Sequence, residues 1–303
     1  EIRDQVTADA AVYTQASYDV CEQEYIHKDV ETLLNNLPEI FPIKYSEENG
    51  YWISEKRDKF KRLVDPSGDF IYVPENWKGN EMKIGFMGLG KLGLPCALSI
   101  DEKGHEVYGY DIDSNVETIL KTKELPYREE GAPELLQNHN INFCDVENMV
   151  KNSDIIFVPI QTPHDPYFEG TTRLPDERVD FDYTHLKSGL KTLSDEIDRQ
   201  GNEKIVIIIS TVLPGTVRRE IKPILSSLIK LCYNPFFIAM GTTINDFVNP
   251  EFVLFGVDDK DAYEAAKEFY ATIHDRPVYE CTIEEAEMIK VSYNTYITMK
   301  INL

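Results

Sequence analysis

The chain is poor in cysteine and in positive charge, and it lacks any long apolar run. Its 303 residues include five cysteines, at positions 21, 96, 144, 232 and 281, without a CxxC pair. This odd, dispersed set is typical of reduced core cysteines, and we expect no metal site. No apolar stretch approaches the roughly 18 residues of a membrane span. We therefore expect no membrane partner, no signal peptide and a cytoplasmic location.

Positive charge is scarce because 31 Lys and Arg residues stand against 53 Asp and Glu, for a net charge of −22. Such a chain repels a phosphate backbone, and we expect no nucleic-acid partner. Its one basic run, residues 56–62, is more typical of a solvated helix face than of a binding patch. A hydrophobic content of 42% is typical of a globular chain with one large or two ordinary domains.

A dinucleotide-binding pattern begins at Met82. An apolar strand leads into the spacing Gly-x-Gly-x-x-Gly, and an apolar helix over residues 94–100 and a second strand follow. The first glycine permits a tight turn, the second lets the backbone approach a pyrophosphate, and the third lets the helix pack closely on the strand. The helix N-terminus adds free N–H groups. The predicted cofactor-binding residues of this loop are Gly88, Leu89, Gly90, Lys91, Leu92 and Gly93.

Asp111 ends the second strand, at the spacing of about 20 residues that a ribose-binding acid keeps from the glycine loop. A carboxylate there accepts hydrogen bonds from the ribose hydroxyls and repels a 2′-phosphate. No arginine follows Asp111 closely in the sequence to offset that repulsion. The sequence therefore predicts NAD, rather than NADP, as the cofactor.

Helical and strand patterns alternate from Met82 onwards. The predicted strands are residues 84–87, 107–110, 155–160, 205–209 and 253–255. Continuous apolar runs indicate strands buried on both faces, as in a doubly wound, Rossmann-type α/β fold with a mostly parallel sheet. We expect residues 82–280 to be the NAD-binding domain and residues 281–303 to begin a long connecting helix. Residues 1–81 are an N-terminal extension or fused segment of unknown fold and function.

Ligands of such sheets bind at the carboxyl ends of the strands, where two hydroxyl-bearing loops follow. Gln161-Thr162-Pro163 follows the third predicted strand, and Ser210-Thr211 follows the fourth, ahead of a helix that opens at Thr216. Thr162 and Ser210 are candidates for cofactor contact. The alternative is that these residues serve only as turn and N-cap residues.

Residues 286–294 have a helical pattern, which places Lys290 and Asn294 four positions apart on one face. In a dehydrogenase cleft, a lysine can stabilise a developing oxyanion while an asparagine orients the same oxygen or a water. The alternative is a solvated polar stripe.

Taken together, residues 82–303 resemble the N-terminal half of the UDP-glucose/GDP-mannose dehydrogenase family. The resemblance rests on the glycine loop, Asp111 and five later motifs. These are Gln161-Thr162-Pro163, residues 210–216, Asn234-Pro235 with Gly241, Asp246-Phe247-x-x-Pro250, and Glu287 with Lys290 and Asn294.

The resemblance implies oxidation of the C6 alcohol of a nucleotide sugar to a carboxylate, by two hydride transfers to NAD through a cysteine-bound thiohemiacetal and thioester. It implies that Thr211 holds a catalytic water, Lys290 stabilises the oxyanion and Asn294 is its partner. It also implies that Thr162 and Ser210 lie around NAD with the glycine loop and Asp111. A homodimer is implied for the complete protein, through the long helix.

The chain departs from the family pattern in two ways. Phe236 and Met240 stand where the family usually has carboxylates, which places thioester hydrolysis in question. No cysteine has the Gly-rich context of the family's nucleophile, so we expect a fragment that binds NAD without completing the oxidation. Two alternatives stay open: a β-hydroxyacid dehydrogenase that oxidises once, and a non-catalytic NAD-binding or scaffold protein.

Overall fold

The computed structural model describes residues 43–46, 50–53, 60–64, 70–74, 81–168, 173 and 176–302. The chain divides into two compact units, Glu1–Lys78 and Gly79–Leu303. In the first unit, strand β1 (Ile43–Ser46) pairs antiparallel with β2 (Gly50–Ile53), and β3 (Phe60–Val64) pairs antiparallel with β4 (Phe70–Pro74). The expected helical face over residues 56–62 is wrong where it overlaps β3, because pairing with β4 overrides the local charge pattern.

The described residues of the second unit form one eight-stranded sheet with the order β12-β11-β10-β9-β8-β5-β6-β7. Its strands are β5 (Lys83–Met87), β6 (Glu106–Tyr110), β7 (Asn142–Phe143), β8 (Ile155–Val158), β9 (Lys204–Ile208), β10 (Ile229–Tyr233), β11 (Val253–Val257) and β12 (Val278–Cys281). Neighbouring strands are parallel from β7 across to β10. Strand β11 is antiparallel to β10 and parallel to β12.

Helices cover both faces of this sheet. They are α1 (Gly93–Glu102), α2 (Ser114–Thr122), α3 (Ala132–Asn138), α4 (Val146–Asn152), α5 (Thr184–Gln200), α6 (Thr243–Val248), α7 (Lys260–Ile273) and α8 (Ile283–Asn302). A short π-helical turn, Val217–Ile221, lies between β9 and β10. No helix in the described part of the chain has the length and apolarity to cross a membrane.

The two faces of strand β8 show why the sheet is buried on both sides. Phe157 lies in one apolar core, with residues of α1 and α7, whereas Ile156 and Val158 lie in a second core with residues of α4 and α5. All four residues of β8 are buried. Alternate side chains of one strand therefore fill opposite cores, which confirms the predicted doubly wound α/β fold.

The predicted strands are all present, with small differences at their ends. Strand β8 stops at Val158 rather than at residue 160, because Pro159 has no N–H group to continue the ladder. The predicted strand at residues 253–255 is present as β11, whose antiparallel pairing with β10 is compatible with the expected mostly parallel sheet. Strands β7, β10 and β12 were not predicted, because they are short or interrupted by charges such as Lys230 and Glu280.

The connectivity places a ligand crevice at one point of the sheet. From β5 the chain continues to β6 and β7 on one side, and then crosses to β8 on the other side of β5. Helices leaving β5 and β8 therefore diverge, and a crevice opens at the carboxyl ends of these two strands. The glycine loop follows β5, and the Thr162 segment follows β8.

Candidate functional site

The glycine loop connects β5 to α1, and its three glycines have different surroundings. Gly88 has a φ angle of +126°, which side-chain-bearing residues rarely adopt. A Cβ atom on Gly93 would lie 2.2 Å from the carbonyl oxygen of Gly88, whereas a Cβ on Gly90 would meet nothing within 4 Å. No side chain caps the N-terminus of α1. The open space at Gly90, beside free helix N–H groups, fits a pyrophosphate.

Asp111 lies at the end of β6 and is tied to the glycine loop. One carboxylate oxygen accepts a hydrogen bond from the N–H of Leu89 at 2.6 Å, and the other accepts one from the N–H of Asp113 at 2.8 Å. Each oxygen keeps a second lone pair for a ribose hydroxyl. The Leu89 side chain is buried against Gly109, where a Cβ would lie only 2.5 Å from it.

Two hydroxyls join the loops that follow β8 and β9. The hydroxyl of Ser210 lies 2.5 Å from the carbonyl oxygen of Ile160 and 3.1 Å from that of Val158. The hydroxyl of Thr162 donates to the carbonyl oxygen of Thr211 at 2.6 Å. Neither side chain caps a helix of the described residues, but each hydroxyl bonds a loop carbonyl, so the alternative of a purely structural turn role stays open. Their contact with the cofactor stays a prediction.

Tyr183, which is distant in sequence, contacts the loop after Thr211 directly. Its hydroxyl accepts hydrogen bonds from the N–H of Leu213 and from the hydroxyl of Thr216, both at 3.2 Å, and donates to Asp180 at 2.6 Å. Burial, with the hydrogen bond to Asp180, raises the pKa of Tyr183 to about 12. The sequence analysis missed this residue, because no local pattern links it to a loop 30 positions away.

Glu287 ties α8 to the same loop. Its carboxylate accepts hydrogen bonds from the N–H of Gly215 at 2.5 Å and from the N–H of Val217 at 2.8 Å. The side chain is fully buried, and burial raises the pKa of its carboxyl group. Since Lys290 lies one helical turn later, this contact fixes Lys290 relative to the loop that carries Thr211.

Lys290 and Asn294 lie together, as their spacing predicts. The ammonium of Lys290 donates to the side-chain oxygen of Asn294 at 3.0 Å and lies 5.1 Å from the centroid of the Phe237 ring. Lys290 is only 6% exposed, so the solvated-stripe alternative is wrong for this residue. Burial lowers the pKa of Lys290 to about 8. The site therefore holds a partly desolvated cation, which is suited to stabilise a negative charge.

Residues 82–274 match the sequence model of the NAD-binding domain of the UDP-glucose/GDP-mannose dehydrogenase family. The chain belongs to this family. The cofactor of the domain is NAD, for which the glycine loop and Asp111 are suited.

Curated relatives and solved structures agree with this assignment. The chain is 33% identical over 229 residues to an uncharacterised protein of Methanocaldococcus jannaschii, covering 73% of this chain and 24% of that protein. It is 27% identical over 237 residues to the UDP-glucose 6-dehydrogenase AglM of Haloferax volcanii, covering 73% and 53%. A ternary complex of GDP-mannose dehydrogenase from Pseudomonas aeruginosa superposes with a TM-score of 0.64 at 27% identity, covering 73% and 50%. The chain thus spans about half the length of these two dehydrogenases.

The two positions where the resemblance implies carboxylates, Phe236 and Met240, lie in different surroundings. Phe236 packs on Phe247, with ring centroids 5.7 Å apart, and lines a pocket with Phe237 and Tyr293. Because Lys290 lies over Phe237, this pocket adjoins the buried lysine. Met240 is 64% exposed. An apolar ring therefore lies close to the candidate catalytic lysine, where the resemblance implies a carboxylate.

Thr211 makes no side-chain hydrogen bond within the described ranges of the chain. Its carbonyl accepts the bond from Thr162, which fixes the backbone at the end of β9 while the half-buried hydroxyl keeps its hydrogen-bonding capacity. A free hydroxyl in this position is compatible with holding a water. The Glu287 contacts to the same loop join the Thr211 segment to α8, the helix that carries Lys290.

Glu129 is a second buried acid that the sequence analysis missed. It is only 4% exposed, and its carboxylate accepts hydrogen bonds from the N–H of Thr243 at 2.6 Å and from the N–H of Gly241 and the hydroxyl of Thr243, both at 3.0 Å. It thereby stabilises the N-terminus of α6 and the loop that carries Met240. The partners are 112 and 114 positions away, which is why local patterns gave no signal.

The four cysteines in the described part of the chain are not suited to be nucleophiles. Cys96 and Cys232 are buried, and burial raises the pKa of both thiols. Burial also raises the thiol pKa of the half-buried Cys144, and that of Cys281 to about 11. A nucleophilic cysteine needs a lowered pKa. Cys21 lies outside the described residues.

Proposed function

We propose that this chain is the NAD-binding part of an enzyme that oxidises the C6 alcohol of a nucleotide sugar. In this proposal residues 82–280 hold the cofactor, and residues 281–303 begin a connecting helix that also carries catalytic groups. The observation that carries the proposal is the buried ammonium of Lys290, which bonds the exposed Asn294 and which Glu287 fixes beside the loop after β9. The family membership supports an oxidoreductase, and the pair gives it a chemical centre.

Lys290 stabilises the oxygen on which negative charge develops as the substrate alcohol is oxidised. An ammonium shielded from water interacts more strongly with such a charge than an exposed one, because the surrounding dielectric constant is low. Asn294 holds the ammonium in place through its side-chain oxygen and presents an amide to the same oxygen or a water. When bound, NAD accepts the hydride. Thr211 contributes a hydroxyl that holds a water.

The further oxidation to a carboxylate requires a cysteine nucleophile, and we propose that it comes from outside the residues described here. The raised thiol pKa values of Cys96, Cys144, Cys232 and Cys281 support this part of the proposal. The proposed substrate class is a nucleotide sugar, because the relatives include a UDP-glucose 6-dehydrogenase and a GDP-mannose 6-dehydrogenase. In this proposal, side chains outside the cofactor crevice determine which sugar is bound.

The test is the formation of NADH, followed by absorbance with UDP-glucose and with GDP-mannose. The chain alone is expected to bind NAD without steady turnover, whereas the longest natural polypeptide that contains it turns over. In that polypeptide Lys290→Met is expected to lower kcat by roughly 100-fold or more, as the loss of an oxyanion-stabilising group does. Steady turnover by the chain alone would contradict the external nucleophile. Unchanged kcat in Lys290→Met would contradict the catalytic assignment.

A non-catalytic NAD-binding protein is the second candidate, and one observation favours it. Phe236 and Met240 replace two groups that accept protons or orient water in the family. The same assay separates the two functions. NAD binding without turnover of any nucleotide sugar by the longest polypeptide would favour the non-catalytic protein.

A further inference from the structure

The glycine loop contains one positively charged side chain, that of Lys91. It directly follows Gly90, the glycine beside open space, and it is exposed. Within the described ranges no carboxylate lies within ion-pair distance of Lys91, although the whole chain has a net charge of −22. The loop in which a pyrophosphate fits thus carries a cation without a carboxylate partner, in a protein with a large excess of negative charge.

The Lys91 ammonium has a defined position over an aromatic ring. It lies 5.8 Å from the centroid of the Tyr127 ring, within the range of a cation–π interaction. Such a contact reduces the rotamer freedom of the lysine without neutralising its charge. The ammonium is thus held close to the loop and remains available to an anion.

Tyr127 is itself fixed by its surroundings. Its hydroxyl is enclosed and has no hydrogen-bond partner in the part of the chain that the structure describes. Two positions later, Glu129 is anchored to Gly241 and Thr243, which restrains the segment that carries the ring. Burial, with the nearby carboxylate of Glu129, raises the pKa of Tyr127 to about 12, so the ring stays uncharged in the neutral range.

We propose that Lys91, positioned by the ring of Tyr127, binds the pyrophosphate of the dinucleotide through its side chain. Lys91 is then a cofactor-binding residue in its own right, beyond the backbone of its loop, and Tyr127 is a positioning residue. The helix N-terminus and the Lys91 ammonium would then both supply positive charge to the pyrophosphate. This inference rests on the binding of NAD in the glycine loop.

The test compares affinities for NAD, ADP-ribose and adenosine, measured by calorimetry or competition at low and high salt. ADP-ribose retains the pyrophosphate without the nicotinamide, and adenosine has neither. Lys91→Met is expected to weaken NAD and ADP-ribose about tenfold at low salt, as the loss of a charged hydrogen bond does. Adenosine affinity should not change, and the salt dependence of NAD binding should become shallower. Lys91→Arg should retain most of the affinity.

Three further variants complete the design. Lys103→Met removes an exposed charge at the opposite end of α1 and should leave NAD affinity unchanged. Tyr127→Phe keeps the ring, loses an unpartnered hydroxyl and should bind NAD as the wild type does. Tyr127→Leu should lose about threefold in affinity, in line with a contact worth somewhat less than 1 kcal/mol.

Each outcome decides the proposal. If the wild type binds NAD and Lys91→Met matches Lys103→Met at low salt, the role of Lys91 is overturned while the cofactor assignment stands. If Lys91→Met weakens adenosine as much as ADP-ribose, the loss comes from the loop and not from a phosphate contact, which also overturns it. If the folded wild type fails to bind NAD, both the proposal and the cofactor site fall.

Discussion

At the scale of single residues, Lys290 is both buried and positively charged, and burial disfavours the charged form. Its side chain is 6% exposed, yet its ammonium has an amide and an aromatic ring beside it rather than a carboxylate. Desolvation of a cation costs free energy, which is why the pKa of Lys290 falls to about 8. A fold optimised for stability alone would place an apolar side chain there. Because burying the Lys290 ammonium costs free energy, its presence in this position favours a functional role for the residue.

Lys290→Met is therefore expected to stabilise the protein while it removes the cation that we propose to be catalytic. The free energy of unfolding should rise by about 1–3 kcal/mol at neutral pH, because methionine has a similar shape and no charge to desolvate. The native pKa of about 8 lies below the ordinary 10.5, so the wild type is penalised fully below pH 8. The gain should shrink as the pH rises from about 8, and it should vanish above 10.5, where the amine is neutral in both the folded and the unfolded state.

Urea unfolding across this pH range measures the effect. Lys300→Met, an exposed lysine on the same helix, is the control and should change the stability by less than about 0.5 kcal/mol. A Lys290→Met protein that is less stable than the wild type at neutral pH would show that the amine is not a desolvated cation.

The glycine loop offers a paired prediction. Gly90→Ala adds a methyl group to open space and should leave the free energy of unfolding within about 1 kcal/mol of the wild type, while NAD affinity falls by about tenfold or more. Gly93→Ala places a Cβ 2.2 Å from the carbonyl oxygen of Gly88 and should destabilise the fold by about 2 kcal/mol or more. Thermal unfolding and NAD titration separate the two. Equal effects of both substitutions on stability would refute the distinct roles of these glycines.

At the scale of elements, the parts that the sequence predicted are those specified by local pattern. Strand β5, helix α1 and strand β6 follow each other with continuous apolar runs and a glycine loop between them, so their order and their ligand edge could be predicted. The Lys290–Asn294 pair was predictable for the same reason, since helical periodicity alone places these side chains together.

The parts that sequence analysis missed depend on contacts between distant segments. Strands β10 and β12 contain charged residues that are paired or exposed at the sheet edge, and only the neighbouring strands specify them. Glu129 and Tyr183 each hold a loop far away in the sequence, and nothing in their local spacing indicates this. The direction of β11 likewise depends on its partner β10 and not on its own apolar residues.

Glu129 provides a prediction about one element, helix α6. Glu129→Ala leaves the N–H groups of Gly241 and Thr243 without their acceptor and should destabilise the protein by about 2–3 kcal/mol. Hydrogen exchange at these two amides should accelerate. The control is Glu130→Ala, whose exposed side chain is removed while its backbone N–H still donates to Gly241 at 3.0 Å. Similar exchange in the two variants would show that Glu129 does not stabilise the loop.

At the scale of the whole molecule, α8 has two apolar faces. One face packs on the sheet through residues such as Ile283 and Ala286, both of which are buried. The other face exposes Met288, Ile289, Tyr296 and Met299. An exposed apolar surface of this kind is typical of an interface, and we propose that it joins two copies of the protein in a homodimer.

The double variant Tyr296→Lys, Met299→Lys is expected to reduce self-association, because it adds two charges to the exposed face of α8. Light scattering after size-exclusion chromatography should show a smaller mass for this variant than for the wild type. Thr118→Lys, on the exposed side of α2, is the matched control and should behave as the wild type does. A wild type that is monomeric at high concentration would contradict the proposed interface.

We propose above all that NAD binds in the crevice at β5 and β8 and that the Asp111 carboxylate accepts hydrogen bonds from its ribose hydroxyls. Calorimetry with NAD and NADP, for the wild type and for Asp111→Ala, tests it most directly. We predict that the wild type binds NAD saturably and binds NADP more weakly. Asp111→Ala should bind NAD about tenfold more weakly than the wild type, so its affinities for NAD and NADP should differ less. Asp113→Ala removes the neighbouring carboxylate that caps α2 and should retain the preference for NAD. A folded wild type that fails to bind NAD, or that binds NAD and NADP equally, would contradict the account.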